Sequence, residues 1–461
     1  MNVVLIGFRG TGKTESGRLL AHLLDVPFYD TDALVEQEAG ATVHEIFERE
    51  GEAGFREREK RAIADLPRGP GVFATGGGAV IDPENVEHLR RGRTMVLLQA
   101  DEATIEKRIQ HGSRPALTRM GLRAEIHALL EARKDAYLAA ADYCIDTSAR
   151  SANEVAIGIK RLLMEGGTKE GARREALLAV AGSGIPRPEV EELAARVDAL
   201  AGNPVLRIFG VAGYPSLHSR SPSLFQHLFT YFEVNAYYTR FHDPALTRIL
   251  GIARDLDVRG LSVTIPFKQE ILRHLDHIDA HSRAIGACNT VVFCGGESYG
   301  YNTDWIGIRD PLGPSRGSRA VILGAGGAAA AAAYALLSLD MEVTLLNRTV
   351  ERAERLAGRL GCHYGSIRDF GRIKPEVVVN ATPVGMEPDT ASPLSKSDLA
   401  PGMTVFDLVY TPPETPLIRA ARGAGCTVIP GREMFVRQAK AQFRQFTGID
   451  APLGMIREIL G

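Results

Sequence analysis

The chain has 461 residues, of which 45% are hydrophobic and 24% are charged, and its formal net charge is −2. This length exceeds what one hydrophobic core supports, so we expect two or three domains of about 150 residues each. The near-neutral charge offers no basic excess for a polyanion, which makes nucleic acid a poor candidate partner. No apolar run reaches the ~18 residues of a membrane span, and the apolar start is too short for a signal peptide. We therefore expect a cytoplasmic protein without membrane contact, and leave open whether it forms a homo-oligomer.

Five cysteines are spread along the chain with neither a CxxC pair nor the spacing of metal ligands. This pattern suits a reducing compartment, and we expect each cysteine to pack as a small hydrophobic residue. The five are Cys144, Cys288, Cys294, Cys362 and Cys426.

Residues 7–14, Gly-Phe-Arg-Gly-Thr-Gly-Lys-Thr, follow a four-residue apolar run and precede an amphipathic segment. A strand, a glycine-rich loop and a helix in this order are the context of a phosphate-binding P-loop. Backbone N–H groups of the loop and the helix N-terminus would surround the phosphates of a nucleoside triphosphate. Lys13 would reach the outer phosphates, and the Thr14 hydroxyl would complete a Mg²⁺ shell. The expected nucleotide contacts here are Gly10, Thr11, Gly12, Lys13 and Thr14.

A second predicted strand ends in Asp30-Thr31-Asp32. Because alternate residues of a strand share a face, both carboxylates would point to the ligand crevice. One could hold Mg²⁺ through water while the other accepts a hydroxyl proton from the phosphate acceptor. The alternative is that the aspartates cap a turn.

A helix is predicted to begin at a capping box, Thr42 with Glu45, and its charged continuation carries Arg56. A short strand then leads into three glycines at 76–78, which allow either close backbone approach to a ligand or a tight turn. A basic loop, residues 111–117, precedes the next helix.

The motifs GxxGxGKT, DTD, FRxxE, GGGA, RPAL and R-x₃-Y occur in an order that resembles shikimate kinase, across residues 1–165. The resemblance implies phosphorylation of shikimate with ATP and Mg²⁺. Asp30 would then support Mg²⁺, Asp32 would bind the shikimate hydroxyls and act as base, and Gly77 would contact the ring. The resemblance further implies a carboxylate clamp of Arg56 and Arg133, contact of Arg114 with the transferring phosphate, and a place near the adenine for Arg108.

Paired guanidinium groups suit a small hydroxylated carboxylic acid, and a lid that excludes water would prevent simple ATP hydrolysis. A gluconate- or adenylate-type phosphotransferase and a regulatory nucleotide sensor are the alternatives. The two arginines and the DTD pair argue against a sensor.

Residues 166–204 are assigned to a linker that contains a helix, because the segment begins polar and glycine-rich and then shows helical periodicity. We assign no chemistry to this linker.

Beyond the linker, a predicted strand leads to Ser219-Arg220-Ser221-Pro222 and then to a helix. The two hydroxyls could cap that helix or bind a carboxylate at its N-terminus. A later buried strand reaches Lys268, and two further strand ends supply Asn289 and Asp304. A lone lysine is usually a surface residue. A lysine held by a neighbouring carboxylate is instead a candidate acid–base group.

Residues 319–323 precede Gly-Ala-Gly-Gly-Ala-Ala and a long alanine-rich helix, which is the dinucleotide-binding fingerprint with strand and helix in place. The next strand ends in Asn-Arg-Thr where an NAD site would carry Asp or Glu, and a second arginine follows one turn later. A guanidinium without that carboxylate favours the 2′-phosphate of NADP. The expected NADP contacts are Gly324, Ala325, Gly326, Gly327, Ala328, Asn347, Arg348, Thr349 and Arg352.

The motifs SxSP, VTxPFK, GAxNT, NTD, GAGGA, NRT and a late glutamine-bearing helix resemble shikimate dehydrogenase, from about residue 205 to the C-terminus. The resemblance implies reduction of 3-dehydroshikimate by NADPH, with Lys268 and Asp304 as the catalytic pair. Leu408 and Gly431 would lie near the nicotinamide. The implied shikimate contacts are Ser219, Ser221, Thr264, Lys268, Asn289, Asp304, Tyr410 and Gln438.

Two positions bear on the substrate. Ser262 stands where bacterial members often carry Asn, which would loosen one contact with a ring hydroxyl. Ser221, rather than Thr, suits shikimate better than quinate. A quinate-specific second half and a sensor of nucleotide and NADP with inactive sites are the remaining alternatives; the sensor would require loss of Lys13, Asp32, Lys268 or Asp304, and all four are present.

Together the two resemblances imply a bifunctional enzyme of aromatic amino acid and chorismate biosynthesis, with only small-molecule partners. The expected fold is α/β throughout. A P-loop kinase-like domain with a parallel sheet (1–165) would precede a two-domain dehydrogenase. That dehydrogenase would comprise an α/β substrate domain (205–305, completed by a C-terminal helix, 433–461) and a Rossmann NADP domain (306–432).

Overall fold

The structure is a computed structural model that describes residues 1–110, 121–164, 170–199, 206–313 and 318–460. Arg114 and the basic loop 111–117, both singled out in the sequence, lie outside the described residues. The chain divides into two compact units. The first unit comprises Met1–Leu261, Val292–Glu297 and Phe443–Ala451, and the second comprises Ser262–Val291, Ser298–Gln442 and Pro452–Gly461.

The first sheet has five parallel strands in the order β2-β3-β1-β4-β5. Its strands are β1 (Asn2–Ile6), β2 (Phe28–Asp30), β3 (Gly71–Ala74), β4 (Thr94–Gln99) and β5 (Tyr143–Asp146). The helices of this region are α1 (Lys13–Leu24), α2 (Thr31–Ala39), α3 (Val43–Ala64), α4 (Pro83–Arg90), α5 (Glu102–Gln110), α6 (Leu122–Ala140) and α7 (Ala152–Met164).

The central strand β1 is apolar throughout its last four residues, which are all fully buried, because helices cover both faces of a parallel sheet. Val3 and Leu5 pack with Leu20 of α1 and Ile159 of α7 in one hydrophobic cluster. This arrangement fixes the carboxyl end of β1, where the glycine-rich loop begins.

Two helices lie within the segment assigned to the linker, α8 (Glu170–Ala181) and α9 (Arg187–Ala199). The second sheet has six strands in the order β7-β6-β8-β10-β11-β9. Its elements in chain order are β6 (Arg207–Gly213), α10 (Ser221–Tyr231), β7 (Ala236–His242), α11 (Leu246–Asp255), β8 (Val258–Val263), β9 (His277–Ile278), α12 (Ala280–Ile285), β10 (Thr290–Cys294) and β11 (Glu297–Tyr301).

The third sheet has six parallel strands in the order β14-β13-β12-β15-β16-β17, which is the doubly wound order of a Rossmann domain. The alanine-rich helix packs its small side chains on this sheet, and seven of its residues are buried. The elements are α13 (Asp304–Leu312), β12 (Arg319–Leu323), α14 (Gly327–Leu337), β13 (Glu342–Asn347), α15 (Val350–Leu360), β14 (His363–Ser366), α16 (Phe370–Ile373), β15 (Val377–Asn380), β16 (Thr404–Asp407), α17 (Pro416–Gly423), β17 (Thr427–Ile429), α18 (Gly431–Thr447) and α19 (Leu453–Leu460).

Two sequence-based expectations are wrong. The C-terminal segment is not one helix, because α18 ends before Gly448, whose φ is +75°, and α19 begins at Leu453. The expectation that every cysteine packs as a free hydrophobic residue fails for Cys144 and Cys294, which form a disulfide across 150 residues of sequence. The other three cysteines are free.

Within the described ranges, no helix combines the length and the apolar composition that a membrane crossing requires.

Candidate active sites

The glycine-rich loop after β1 has the backbone of a phosphate cradle. Gly10 and Gly12 adopt φ values of +82° and +88°, a left-handed conformation that other residues adopt only with strain. Gly12 is the N-cap of α1, and among the residues that the structure describes no side-chain cap is made to the first N–H groups of that helix. Lys13 Nζ donates to the carbonyl oxygens of Gly7 and Phe8 at 2.8 Å each, so the lysine curls over the loop. These residues fit the phosphates of ATP.

A hydroxyl and a carboxylate meet beside this loop. Thr14 Oγ1 donates to Asp30 Oδ2 at 2.8 Å, which gives two oxygen ligands of the kind Mg²⁺ prefers. Asp30 also caps α2, because its Oδ1 accepts from the backbone N–H of Asp32 at 3.1 Å. Asp32 therefore lies in the first turn of α2, and the prediction that both carboxylates share one face of a strand is wrong. The capping tendency of Asp ends β2 at Asp30.

The three glycines after β3 bring the two predicted clamp arginines together. Arg133 Nη1 donates to Gly77 O at 3.2 Å, and the Tyr137 hydroxyl donates to the same oxygen. A Cβ at Gly78 would lie 2.3 Å from Arg56 Nη2, so this guanidinium packs directly on the loop. The loop thus places Arg56 and Arg133 beside one another, as a carboxylate clamp requires.

Glu59 is a candidate functional residue that the sequence reasoning missed. Its side chain is fully buried, and its Oε2 accepts from Arg56 Nη1 at 2.7 Å. Burial raises the pKa of Glu59 against the opposing attraction of Arg56, and the nearby Asp32 raises it further. A Cβ at Gly76 would lie 2.5 Å from Glu59 Oε1 and 2.7 Å from Asp32 Oδ1, so Glu59 and Asp32 flank the same glycine. The FRxxE motif contained this glutamate and was the available signal.

Arg108 joins the P-loop to the segment after β5. It donates to Gly10 O at 3.2 Å and to Thr147 O at 2.8 Å. Thr147 Oγ1 in turn donates to Thr11 O at 3.2 Å. The side chain therefore lies at the outer edge of the phosphate loop.

In the second unit, Lys268, Asp304 and Asn289 form one hydrogen-bonded group. Lys268 Nζ lies 2.7 Å from Asp304 Oδ2, and Asn289 Nδ2 donates to Asp304 Oδ1 at 2.7 Å. Asp304 is the first residue of α13 and is buried, and its N–H donates to Asn302 Oδ1 at 3.0 Å. Thr303 N–H holds Asn289 Oδ1 at 2.8 Å. Both carboxylate oxygens are thus oriented, and the ammonium group has a fixed partner suited to acid–base work.

Gln442 on α18 is a second residue that the sequence reasoning missed. Its Nε2 donates to Asn289 O at 3.0 Å and to Thr290 Oγ1 at 3.1 Å, while its Oε1 accepts from Ser262 Oγ at 3.0 Å. Gln438, the residue that was predicted, lies one turn earlier and donates to Phe435 O at 3.2 Å. Ser262 is therefore buried against Gln442.

The loop after β12 has the geometry of a dinucleotide site. Gly324 has φ +115°, and a Cβ there would lie 3.1 Å from Ala381 O. Gly326 caps α14 without a side chain, and a Cβ added to it would meet no atom within 4 Å. A Cβ at Gly327 would lie 3.7 Å from Lys268 Cβ, so the lysine flanks the loop. The open helix N-terminus fits a pyrophosphate.

The end of β13 carries the predicted discriminator of the cofactor. Asn347 Nδ2 donates to Thr349 O at 2.8 Å, which forms a tight turn, and Arg348 and Arg352 are both exposed. Among the described residues neither guanidinium has an ion-pair partner. Two such groups beside the dinucleotide loop fit the 2′-phosphate of NADP.

The other predicted residues lie as follows. Ser219 and Ser221 belong to the first unit at the start of α10, where Ser219 Oγ accepts from Ser221 N–H at 3.3 Å. In the second unit Tyr410 stacks on Phe435 with a centroid distance of 5.1 Å, and Gly431 begins α18 close to Val409 O. Thr264 follows β8, Ala325 lies in the loop after β12, and Leu408 follows β16. Ala328 is the second residue of α14.

The fold and these two groups of residues define a P-loop phosphotransferase domain joined to a dinucleotide-dependent oxidoreductase. Comparison with family models agrees part by part. Residues 9–163 match the model of shikimate kinase, and 211–291 match the substrate-binding domain of shikimate dehydrogenase. Residues 309–383 match shikimate / quinate 5-dehydrogenase, and 431–460 match the C-terminal domain of shikimate 5′-dehydrogenase.

Curated relatives match the same second half. The shikimate dehydrogenase (NADP(+)) of Pyrococcus furiosus is 38% identical over 263 residues, which are 55% of this chain and 94% of the relative. The chloroplastic bifunctional 3-dehydroquinate dehydratase/shikimate dehydrogenase of Arabidopsis thaliana is 36% identical over 56% of this chain and 46% of its own length. The chain therefore belongs to the shikimate dehydrogenase family and carries a shikimate kinase domain ahead of the dehydrogenase.

Solved structures cover the dehydrogenase part. A shikimate dehydrogenase in complex with NADP+ is 33% identical and covers 56% of this chain and 96% of its own, with a TM-score of 0.53. The Thermus thermophilus enzyme in complex with NADP(H) and shikimate is 32% identical over 55% of this chain and 98% of its own, with a TM-score of 0.51. Quinate dehydrogenase from Corynebacterium glutamicum, in complex with NAD, is 31% identical over 55% of this chain and 98% of its own, with a TM-score of 0.52.

Proposed function

We propose that the chain catalyses two consecutive reactions on one carbocyclic acid. The dehydrogenase part reduces 3-dehydroshikimate to shikimate with NADPH, and the kinase part phosphorylates the 3-hydroxyl of shikimate with Mg-ATP. The observation that carries the proposal is that one chain contains both the Lys268–Asp304 pair beside a dinucleotide loop and the P-loop with its paired arginines. The product of the first reaction is then the substrate of the second.

In the reduction, bound NADPH supplies the hydride to the ring carbonyl carbon. Lys268 gives a proton to the carbonyl oxygen, which becomes the new hydroxyl, and Asp304 holds the ammonium group in place at 2.7 Å. Asn289 fixes the other oxygen of Asp304, so the carboxylate cannot turn away from Lys268. By the resemblance to shikimate dehydrogenase, further side chains also bind the substrate: Ser219, Ser221, Thr264, Tyr410 and Gln438.

In the phosphorylation, Asp32 takes the proton of the attacking hydroxyl, and Arg56 and Arg133 hold the carboxylate of shikimate. Glu59 keeps Arg56 oriented through its 2.7 Å contact. Lys13 and the loop N–H groups neutralise charge on the transferred phosphoryl group, and Thr14 with Asp30 would hold Mg²⁺. By the resemblance to shikimate kinase alone, Arg108 lies near the adenine of ATP and Arg114 contacts the transferred phosphate.

Cofactor choice and organisation follow from the same proposal. Arg348 and Arg352 bind the 2′-phosphate and so select NADP over NAD. The proposed domains are 1–165 for the kinase, 205–305 with the C-terminal helices for the substrate domain, and 306–432 for the NADP domain. We propose a cytoplasmic location, because both cofactors are intracellular metabolites.

The test uses two variants of the full chain, each the control for the other. Wild type is incubated with 3-dehydroshikimate, NADPH and Mg-ATP, and NADPH absorbance is followed together with product mass. Lys13→Ala should oxidise NADPH at the wild-type rate and accumulate shikimate. Lys268→Ala should not oxidise NADPH, but should still convert added shikimate to its 3-phosphate. Absence of NADPH oxidation by wild type would refute the dehydrogenase assignment. Reduction of NADP+ in the reverse direction with quinate but not with shikimate would also refute it. Shikimate that is formed but never phosphorylated would refute the kinase assignment.

A further inference from the structure

Three arginine residues line one cavity of about 180 Å³ in the first unit, remote in sequence from the P-loop. Arg90 ends α4, Arg93 precedes β4, and Arg207 begins β6. Their exposed fractions are only 5%, 6% and 5%. Arginine is almost never buried to this extent without a paired acid, so the charge balance of the cavity needs an explanation.

One buried carboxylate pairs with two of these three arginines, Arg90 and Arg207. Asp142 lies 2.9 Å from Arg90 Nη1 and 3.1 Å from Arg207 Nη1, and its second oxygen accepts from Met95 N–H at 2.7 Å. Asp142 therefore pairs with two guanidinium groups, which carry one positive charge more than its carboxylate can neutralise. The other acid that lines the cavity, Glu233, is exposed to solvent.

Arg93 has no carboxylate partner among the described residues. Its guanidinium donates to the carbonyl oxygens of His88 at 2.9 Å and Pro67 at 2.8 Å, and it lies 4.6 Å from the ring centroid of Phe73. These contacts orient the group but leave its charge uncompensated. Among the described residues that line the cavity, three are buried arginines and only Asp142 is a buried acid.

Burial of these arginines lowers the pKa of two of them and leaves two of their Nε–H donors without a hydrogen bond to the described residues. Burial lowers the pKa of Arg207 to about 9, and repulsion from Arg90 adds to this effect although Asp142 opposes it. Burial and the neighbouring Arg68 lower the pKa of Arg93. The Nε atoms of Arg90 and Arg93 are buried and have no hydrogen-bond partner within the described part of the chain. Buried donors are normally satisfied, so an acceptor that carries negative charge would complete the cavity.

The cavity is separate from the nucleotide site because of the sheet topology. Arg93 and Asp142 stand immediately before β4 and β5, at the amino ends of two parallel strands. The P-loop follows the carboxyl end of β1 in the same parallel sheet. Amino and carboxyl ends of parallel strands lie at opposite edges, so the phosphates of ATP do not reach these arginines.

We propose that this cavity is a binding site for a small phosphate-type oxyanion, either free inorganic phosphate or the phosphoryl group of a small phosphomonoester. Guanidinium groups bind such oxygens through charge-assisted hydrogen bonds, and several of them around one cavity define a specific site. Gly92 and the exposed Asn235 form part of the lining and leave a route for entry. Bound anion would neutralise the excess charge and tie α4 and β4 to β6.

The experiment is equilibrium dialysis of the full chain with radiolabelled inorganic phosphate. The P-loop and dinucleotide sites are first saturated with Mg²⁺, a non-hydrolysable ATP analogue and NADP+. We expect one phosphate bound per chain under these conditions. Arg93→Gln and Arg207→Gln should each weaken phosphate binding at least tenfold. Arg91→Gln is the matched control, because Arg91 lies between Arg90 and Arg93 in sequence but is exposed and pairs with Glu87. This variant should bind phosphate as wild type does.

Absence of bound phosphate in wild type would overturn the proposal, as would unchanged binding in both cavity variants. If Arg207→Gln fails to fold, Arg207→Lys keeps the charge and should retain part of the affinity, and the wild-type stoichiometry remains decisive by itself. Displacement of bound phosphate by glycerol 3-phosphate at equal or lower concentration would assign the site to phosphomonoesters. Its failure to displace phosphate would assign the site to the free ion.

Discussion

Gly76→Ala is the most informative single substitution in the kinase part. The added Cβ would lie 2.5 Å from Glu59 Oε1 and 2.7 Å from Asp32 Oδ1, distances that real Cβ atoms essentially never show. The backbone cannot retreat easily, because Gly76 N–H donates to Thr31 Oγ1 at 3.1 Å and the preceding Thr75 N–H donates to Leu5 O at 3.1 Å. The two buried carboxylates must therefore move, by about 1 Å, to reach ordinary contact.

Such a displacement acts on the proposed base and on the residue that orients Arg56. A misplacement of about 1 Å in a reacting group costs roughly 10²-fold in rate, or about 2.7 kcal/mol of activation free energy. We expect kcat/KM for shikimate phosphorylation to fall about 10²-fold, measured by a coupled ADP assay. NADPH oxidation by the same preparation should stay at the wild-type level, so the chain carries its own control for folding.

Gly69→Ala is the matched control, because a Cβ at Gly69 would meet no atom within 4 Å. It should retain both activities. A Gly76→Ala variant that phosphorylates shikimate within twofold of wild type would refute the reasoning, since Asp32 and Glu59 would then not need the positions that the structure gives them.

Three further predictions address the cofactor, an ionisable group and the cysteines. The double variant Arg348→Gln, Arg352→Gln should raise KM for NADPH about 10–100-fold, because charge-assisted hydrogen bonds to the 2′-phosphate are lost, and should leave KM for NADH unchanged. An equal rise in KM for both cofactors would contradict 2′-phosphate binding. Burial raises the pKa of Tyr137 from 10 to about 12. In urea titrations the wild type should therefore lose about 2 kcal/mol of unfolding free energy relative to Tyr137→Phe as pH rises from 10 to 12, and almost none below pH 9; parallel pH profiles of the two proteins would refute this. Alkylation of the unfolded, unreduced chain should modify three cysteines, and five after reduction, by intact mass; five without reduction would exclude the Cys144–Cys294 bond.

The sheets and the glycine-rich loops were predictable because their signals are local. An apolar run of four to five residues followed by glycine and a helical pattern identifies β1 with the P-loop and β12 with the dinucleotide loop, and the structure has both. The capping box at Thr42 was predicted for the same reason and is present. Short-range stereochemistry decides these features.

Pairings between distant residues were not predictable from spacing. Cys144 and Cys294 are 150 residues apart and neither belongs to a motif, so only the tertiary fold brings them together. The Asp30-Thr31-Asp32 error has a different origin. The strand pattern and the capping preference of Asp compete over three residues, and capping prevails because the N–H of Asp32 needs an acceptor where the helix begins.

The two glutamines of α18 show that a sequence motif can identify a helix while tertiary packing decides which of its residues makes the contacts. The late glutamine helix resembles its family through Gln438, yet Gln442 makes the contacts that reach the Lys268 group, by holding Asn289 O and Thr290 Oγ1. Residues four apart on a helix share a face, so Gln438 and Gln442 lie on the same face of α18. The sequence alone therefore cannot tell which of the two glutamines contacts the Lys268 group. Ser262 distinguishes the two glutamines, because its hydroxyl donates to Gln442 Oε1 at 3.0 Å. This contact orients the Gln442 amide so that its Nε2 donates towards Asn289. The serine that departs from the family pattern is thus the residue that orients Gln442 towards Asn289.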